Sequence, residues 1–260
     1  MLRREKGIIL NSRKLKESDC MVKFFMQKGE METLKIHGIR ATKTRNILIS
    51  EPGSIVEFVF YTGKNSQQGS VKEGTLLERF DPIKSSYGSM LLLSAFLELA
   101  GNAAQDESAE DIYDLLFRAL QYLNEKLKLA KFQNESFMLL FIFFIMRLFD
   151  LLGMKGSSEV CPSCGLPSEG IVFWNKPHLE FLCGNCDARA SDEDRKFLHC
   201  MDAACRQKYE KFASLAENFQ RKDPDFIKNF LIASGFCLSS LDAKLPACSE
   251  FLKQHNSLQN

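Results

Sequence analysis

The first 80 residues alternate short apolar runs with polar turns, a pattern typical of β-strands. The clearest run, residues 54–61, is followed by a stretch rich in Gly and polar side chains, as expected of a loop. The five predicted strands are residues 7–10, 21–25, 31–36, 54–61 and 71–80. Five strands in about 75 residues fit a small barrel.

After Asp81 and its following proline, the apolar spacing changes to the three-and-four-residue period of helices. Gly101 is expected to end the first helix. Ser108 with Asp111 resembles a capping box for the second helix, and Ser191 is predicted to cap the fourth. The predicted helices are residues 87–99, 109–129, 137–152, a segment from 191 through 205, and 240–252.

The most apolar stretch, residues 137–146, contains no charge and is followed by Arg147 and Asp150. A membrane span needs about twenty apolar residues, so this stretch is predicted to be a buried core helix. The apolar run at residues 8–10 is too short for a signal-peptide core. We therefore expect a cytoplasmic protein with no membrane partner.

Two Cys-x-x-Cys pairs stand in the second half of the chain, Cys161 with Cys164 and Cys183 with Cys186. The eighteen residues between the pairs match the spacing of four-thiolate zinc sites. Four thiolates fill a tetrahedral shell and leave no position for water, so the predicted Zn²⁺ site is structural.

Five of the nine cysteines remain outside this motif. Nine cysteines could also indicate a secreted disulfide protein, but the missing signal-peptide core favours reduced thiols. We interpret the remaining five as small buried hydrophobic residues. They are Cys20, Cys200, Cys205, Cys237 and Cys248.

The composition is that of an ordinary globular protein, with 45% apolar residues, 26% charged residues and a net charge of +1. The charge is unevenly distributed, because residues 1–80 contain fifteen Lys or Arg against nine Asp or Glu. A basic front end indicates a polyanionic partner, although a solvated charged surface would give the same count.

Binding of single-stranded DNA requires cations along the backbone path and flat side chains on which bases stack. Phe24, Phe25 and Tyr61 are the candidate stacking residues, with barrel core as the alternative. Phe24 and Phe25 are adjacent and face opposite sides of a strand, so at most one should be exposed. The candidate cations are Arg13, Lys14, Lys16, Lys35, Arg40, Lys43 and Arg45.

The order of several motifs resembles that of the bacterial RecO family of recombination mediators. They are Gly7-Ile-Ile-Leu-Asn-Ser-Arg13, Glu17-Ser-Asp19, Phe24-Phe-Met-Gln-Lys-Gly-Glu30, His37-Gly-Ile-Arg40 with Lys43 and Arg45, Leu76-Leu-Glu78, and Phe144-Ile-Met-Arg-Leu-Phe-Asp-Leu-Leu-Gly153. The resemblance extends over residues 5–190. Glu30 departs from the pattern, since the family has a lysine there.

The resemblance implies a function in recombinational DNA repair. Proteins of this family bind single-stranded and double-stranded DNA, anneal complementary strands and, with RecR, help to load RecA on DNA coated by single-strand binding protein (SSB). It also implies contact with the C-terminal tail of SSB and a location at the bacterial nucleoid. The candidate rim residues for a pocket that binds this tail, with a solvated charged face as the favoured alternative, are Arg118, Lys126, Lys128 and Lys131. The phosphate contacts of residues 40–45 are supported by this resemblance.

An enzyme is not expected from the motifs. His178-Leu-Glu180 precedes a Cys-x-x-Cys pair, but a zinc deaminase needs Pro before the first cysteine and places these parts on separate helices. Walker A, Gly-x-Ser-x-Gly and His-Glu-x-x-His motifs are absent from the sequence. The alternative is a zinc-ribbon protein-interaction or transcription-associated module without strand-annealing activity.

The sequence therefore predicts an α+β protein with three parts. An N-terminal five-stranded OB-fold barrel is followed by an α-helical domain, into which a four-cysteine zinc ribbon is inserted. The predicted boundaries are 1–80 for the barrel, 81–155 and 191–260 for the helical domain, and 156–190 for the ribbon.

Overall fold

The computed structural model of the chain contains two compact units, Met1–Lys131 and Phe132–Asn260. The first unit holds the barrel and two helices, and the second holds the cysteine pairs and the remaining helices. The three-domain division expected from the sequence stays a prediction. The structure describes residues 1–15, 17–39, 47–62, 69–104, 108–129, 134–154, 159–167, 170–241 and 243–256.

The barrel is a closed sheet of five strands in the order β1-β2-β3-β5-β4, with β4 paired back to β1. All neighbours are antiparallel except the short parallel pairing of β3 with β5. A closed five-stranded barrel of this kind is the OB-fold architecture, so the predicted fold class is confirmed. The strands are β1 (Leu2–Lys14), β2 (Cys20–Met26), β3 (Met31–Ile36), β4 (Ile55–Tyr61) and β5 (Gly69–Glu78).

The barrel interior is filled by alternate side chains of its strands, because successive residues of a strand face opposite sides of the sheet. Phe24 lies at its centre, with its ring 5.0 Å from that of Phe58 and 6.3 Å from that of Phe60. Gly7 lets β1 approach β2 closely, since a Cβ at this position would lie 2.2 Å from the carbonyl oxygen of Phe25.

Two helices of the first unit, α1 (Tyr87–Ala103) and α2 (Ala109–Lys128), cover the outer face of β1 and β2. The Phe25 ring packs 5.4 Å from that of Tyr113 on α2. On α1, the carbonyl oxygen of Gly101 accepts a hydrogen bond of 2.8 Å from Lys23 Nζ. A cation at this point stabilises the carbonyl end of a helix.

Two helix-end predictions for this unit were wrong. Helix α1 continues through Gly101 to Ala103, because Gly101 packs against β1, where an added Cβ would lie 3.2 Å from Leu10 Cδ1. Ser108 precedes α2 without a side-chain capping hydrogen bond, so the predicted capping box does not form. Where these two helices begin and end is therefore determined more by their packing on the barrel than by local capping residues.

The second unit consists of five helices and one two-stranded hairpin among its described residues. Helix α3 buries most of the apolar stretch at 137–146, which confirms the prediction of a core helix. Among the described residues, no helix is both long enough and apolar enough to span a membrane. The elements are α3 (Asn134–Leu151), β6 (Val172–Asn175), β7 (Glu180–Cys183), α4 (Asp192–Arg206), α5 (Tyr209–Gln220), α6 (Phe226–Cys237) and α7 (Pro246–Asn256).

Helices α5 and α6 were not predicted from the sequence. Their N-cap residues, Lys208 and Asp225, make no side-chain capping hydrogen bond, so the usual start signal is missing. The predicted cap of α4 is confirmed, because Ser191 Oγ accepts a hydrogen bond of 3.0 Å from the backbone N–H of Asp194.

His255 on α7 is buried, and its ring lies 4.4 Å from that of Phe251. Within the described part of the chain, neither ring nitrogen has a hydrogen-bond partner. Burial lowers the pKa of His255 below its ordinary value of 6.5. The unfolded chain therefore binds a proton more readily than the folded one below pH 6.5.

This difference predicts that the free energy of unfolding decreases as the pH falls below 6.5, by at most about 1.4 kcal/mol per pH unit from this group. Urea denaturation over a series of pH values measures the decrease. His255→Leu should flatten the pH dependence. Equal slopes for the wild type and the His255 variant would contradict the prediction.

Candidate metal centre and nucleic-acid surface

Each cysteine pair lies on a tight turn closed by backbone hydrogen bonds. In the first, Gly165 N–H donates to the carbonyl of Cys161 at 2.9 Å, and Cys161 N–H donates to the carbonyl of Leu166 at 2.9 Å. Gly165 has φ +72°, a left-handed conformation that favours glycine. In the second turn, Cys186 N–H donates to the carbonyl of Cys183 at 2.9 Å.

The two turns bring the four predicted thiols together, with all Sγ atoms within 4.8 Å of one another. Cys164 Sγ lies 3.7 Å from Cys183 Sγ. A tetrahedral ion bound at about 2.3 Å by each sulfur would place sulfurs about 3.8 Å apart. A disulfide needs only about 2.05 Å. The spacing therefore suits four ligands of one metal ion and no disulfide.

The pKa values of the cluster's thiols also favour a bound cation. The Cys183 N–H donates to Cys161 Sγ at 3.4 Å, and this hydrogen bond is the main reason that the pKa of Cys161 is lowered to about 6. A hydrogen bond from Ser163 lowers the pKa of Cys186, but the neighbouring sulfurs outweigh it and raise that pKa to about 12. Four thiolates at this spacing would repel one another without a cation.

The hairpin of β6 and β7 anchors this cluster to the helices of its own unit. Trp174 is fully buried and stacks 5.5 Å from Phe181, while Phe197 of α4 and Phe230 of α6 lie 6.0 and 6.2 Å from its ring. The backbone N–H of Trp174 donates to Asp194 Oδ2 at 3.0 Å. The cysteine hairpin is thus part of the helical core around it.

The structure describes three of the seven predicted DNA-binding cations. Arg13 and Lys14 are exposed at the end of β1, whereas Lys35 on β3 is half-buried. Arg13 and Lys35 both pair with Met21 of β2, which places them in one row across three strands. The other four predicted cations lie outside the described residues, namely Lys16, Arg40, Lys43 and Arg45.

The candidate stacking residues differ in exposure. Phe24 and Phe25 are both fully buried, because Phe24 faces the barrel core and Phe25 faces Tyr113 of α2. Neither ring can meet a base, so the barrel-core alternative is confirmed for Phe24, while Phe25 is covered by α2. Tyr61 at the end of β4 is 50% exposed and remains a candidate.

The departure at Glu30 has a local consequence on the barrel. Its carboxylate lies 2.6 Å from the guanidinium of Arg3, which also contacts Glu5 at 3.1 Å. The ion pair with Arg3 lowers the pKa of Glu30 and raises that of Arg3. Arg3 is therefore held between two carboxylates, Glu5 and Glu30.

Asp19, the last residue of the Glu17-Ser-Asp19 motif, also belongs to this surface. It lies beside the row of cations and accepts hydrogen bonds or ion pairs from three groups around the end of β3. These lower the pKa of its carboxyl to about 2, the hydrogen bond from the backbone of Gly38 being the largest cause.

The barrel and the four-thiol cluster define an OB-fold protein with a candidate metal centre. The family described as "Recombination protein O N terminal" matches residues 1–80, and that described as "Recombination protein O C terminal" matches residues 80–223. The chain belongs to the recombination protein O (RecO) family, which confirms the resemblance noted from its motifs.

Three curated relatives align with most of the chain. The "DNA repair protein RecO" of Leptospira biflexa serovar Patoc is 27% identical over 257 residues, covering 97% of each protein. The protein of the same name from Rubrobacter xylanophilus is 28% identical over 197 residues, or 73% of each. That of Maridesulfovibrio salexigens is 27% identical over 193 residues, covering 70% of this chain and 72% of the relative.

Proposed function

We propose that this chain is a DNA-repair mediator that binds single-stranded DNA and anneals complementary strands. With RecR, it would help to load RecA on SSB-coated DNA. Membership of the RecO family and the names of its relatives support a role in DNA repair. The observation that carries the binding step is the row of Arg13 and Lys35 on the barrel, beside the exposed Lys14.

The mediator step requires no covalent chemistry, so we propose no enzymatic activity. Two strands repel each other through their phosphates, and each phosphate neutralised by Lys or Arg releases bound counterions. A basic barrel that holds both strands lowers their repulsion and raises their local concentration. Exposed Tyr61 could add stacking on bases of any sequence.

The ion proposed for the four-thiol cluster is Zn²⁺, which prefers tetrahedral thiolate ligands. Cys161 and Cys183 would hold it from the buried side and Cys164 and Cys186 from the exposed side. A closed four-thiolate shell supplies folding energy without a catalytic position. Its role here would be to fix the hairpin that carries Trp174.

The further partners are proposals from family membership. An acidic tail such as that of SSB would need an apolar pocket rimmed by cations, and α2 carries candidate cations for such a rim. Arg118 pairs with Asp114 at 3.5 Å, and Lys126 lies 5.0 Å from the ring of Tyr122. Lys128 is exposed, and Lys131 lies outside the described residues. Family membership is also the basis for proposing RecR and double-stranded DNA as partners and the nucleoid as the location.

Replacing Arg40 and Lys43 together by alanine is expected to weaken single-strand binding equally for all sequences. Each lost phosphate contact should reduce the slope of log K against log salt by about 0.7. The double variant should therefore have a slope smaller by about 1.4. Fluorescence anisotropy of labelled oligonucleotides across several salt concentrations measures both effects.

A matched control removes two cations of equal charge from exposed positions of the second unit, through Lys211→Ala with Lys222→Ala. It should leave the salt slope unchanged. An unaltered slope in the Arg40 and Lys43 variant would remove these residues from the binding surface. Absence of any single-strand binding by the wild type would favour the zinc-ribbon interaction module instead.

A further inference from the structure

The four-thiol cluster has a buried side and a solvent side, which differ in their access to small oxidants. Cys161 and Cys183 are 0% and 5% exposed, whereas Cys164 and Cys186 are exposed. The susceptibility of a cysteine to oxidation follows its thiolate character and its exposure. A peroxide molecule that arrives from solvent therefore reaches the sulfur of Cys164 or Cys186 first.

One contact in the cluster joins an exposed thiol to a buried thiol of the other turn. Cys164 Sγ lies 3.7 Å from Cys183 Sγ, although eighteen residues separate the two cysteines in the sequence. The spacing suits two ligands of one ion, and it also leaves the two sulfurs in contact. A disulfide requires them to approach to about 2.05 Å, which is possible once no ion holds them apart.

The other buried thiol is held in place by backbone donors. Cys161 Sγ accepts a hydrogen bond of 3.4 Å from the backbone N–H of Cys183. The backbone N–H groups of Ser163 and Cys164 also donate to this sulfur. Because these donors fix the Cys161 sulfur, Cys183 is the buried thiol better placed to bond with an oxidised Cys164.

The cysteines outside the cluster provide an internal reference for this reactivity. They are all buried, and within the described part of the chain none of them belongs to a group of possible metal ligands. Burial raises the pKa of Cys200 and Cys237 to about 12, so both stay protonated at neutral pH. A small oxidant should therefore act on the cluster before it acts on these thiols.

We propose that Cys164 and Cys183 form a thiol–disulfide switch that responds to hydrogen peroxide. The Cys164 thiolate attacks one peroxide oxygen, the O–O bond breaks, and the leaving hydroxide takes up a proton, so that Cys164 becomes a sulfenic acid. The Cys183 thiolate then attacks the Cys164 sulfur, the S–O bond breaks, and the second hydroxide also leaves as water. The two sulfurs lose two electrons in total, which the peroxide gains.

The new bond removes two of the four ligands but keeps the two turns together. It joins the first turn to the end of β7, so the hairpin that carries Trp174 stays tethered after release of the ion. A dithiol reductant restores both ligands by thiol–disulfide exchange. The inference rests on the proposed Zn²⁺ site and adds that this site responds to oxidation.

The test treats zinc-loaded wild-type protein with hydrogen peroxide and measures the released ion with a chromophoric chelator. We expect loss of two free thiols for each ion released, and recovery of both thiols and of zinc binding after a dithiol and zinc are added. The emission of Trp174 should stay close to that of the untreated protein, since the hairpin remains tethered.

The position of the disulfide is determined by cleavage after glutamate. Glu159, Glu169 and Glu180 place the first cysteine pair in the fragment 160–169 and the second pair in the fragment 181–193. Mass spectrometry without reduction should show these two fragments linked through Cys164 and Cys183. Disulfides found only within each fragment would overturn the proposal.

Three variants test which thiols take part. Cys186→Ser should retain the link between the two fragments, whereas Cys183→Ser should lose it. Cys205→Ser, at a buried thiol outside the cluster, should release zinc and form the link as the wild type does. A link that persists in Cys183→Ser would overturn the assignment of Cys183. The wild-type measurements decide the rest even where a variant does not fold.

Failure of this inference differs from failure of the proposed metal site. If the wild type binds zinc and peroxide leaves the ion bound, the switch is wrong and the structural zinc site stands. If the wild type binds no zinc, the proposed metal site is wrong and the inference falls with it.

Discussion

Replacing Cys164 by serine is expected to release the metal ion and loosen the hairpin of β6 and β7. Because Cys164 is exposed, the introduced serine hydroxyl should by itself destabilise the fold little. Any large effect of the substitution would therefore come from loss of a metal ligand. Binding of structural zinc contributes on the order of 10 kcal/mol to folding of small zinc domains. Trp174 is the only tryptophan and is fully buried in this hairpin, so its emission should shift to longer wavelength.

The measurement combines metal content per chain with the emission spectrum of Trp174. Cys183→Ser should give the same result, whereas Cys205→Ser, at a buried thiol outside the cluster, should keep the ion bound. DNA binding should persist in the Cys164 variant, because the cluster and the barrel belong to different compact units. A Cys164 variant that retains one ion per chain with an unshifted spectrum would show that Cys164 is not a required ligand, and a wild type that binds no ion would show that the cluster holds no structural metal.

Gly7→Ala is expected to destabilise the barrel by about 3 kcal/mol or more. The added Cβ would lie 2.2 Å from the carbonyl oxygen of Phe25, and a backbone atom cannot move aside as a flexible side chain can. β1 pairs with both β2 and β4, so displacement of β1 at Gly7 would open the closed barrel on two sides. Single-strand binding should be lost together with the strand signal in circular dichroism.

A matched control makes the same substitution at Gly101 on α1, where the nearest atom is Leu10 Cδ1 at 3.2 Å. A leucine side chain can adjust, and alanine is favoured over glycine in a helix by about 1 kcal/mol. Gly101→Ala should therefore be nearly neutral. The native emission of Trp174 should be unchanged in both variants. Equal stability of the Gly7 variant and the wild type would contradict this account of the barrel.

The metal centre could be predicted from the sequence because its geometry is local. Each Cys-x-x-Cys pair forms its own turn, and the eighteen-residue interval leaves room for a hairpin that brings the pairs together. The anchoring of that hairpin was not predictable in the same way. Trp174 meets Phe230 on α6, and no local pattern relates residues so far apart.

The sequence predicted the parts of strands in which alternating apolar residues are buried. It missed the parts that are strand only because their backbone pairs with a neighbouring strand. Strand β1 begins at Leu2, five residues before its predicted start, because Leu2 to Lys6 pair with β4 while carrying mostly charged side chains. The ion pair of Arg3 with Glu30 joins that charged end to the turn between β2 and β3. Such contacts join residues far apart in the sequence and leave no periodic signal.

The nucleic-acid surface was predicted only as a set of cations. The charge of Lys35 is evident in the sequence, but its pairing with Asp19 is not, because this pairing depends on where the connection from β1 to β2 meets the end of β3. Likewise, Phe25 is an aromatic on an outer face, and only the packing of α2 shows that it is covered. Charge can be read from composition, whereas availability of that charge depends on tertiary contacts.

The most direct test of the proposed function is annealing of two complementary single strands coated with SSB, followed by fluorescence with and without this protein at several salt concentrations. The account predicts acceleration without ATP that decreases as salt rises, because the step depends on neutralising phosphates. Absence of acceleration, together with absence of single-strand binding, would contradict the mediator function and leave a metal-stabilised interaction protein as the better explanation.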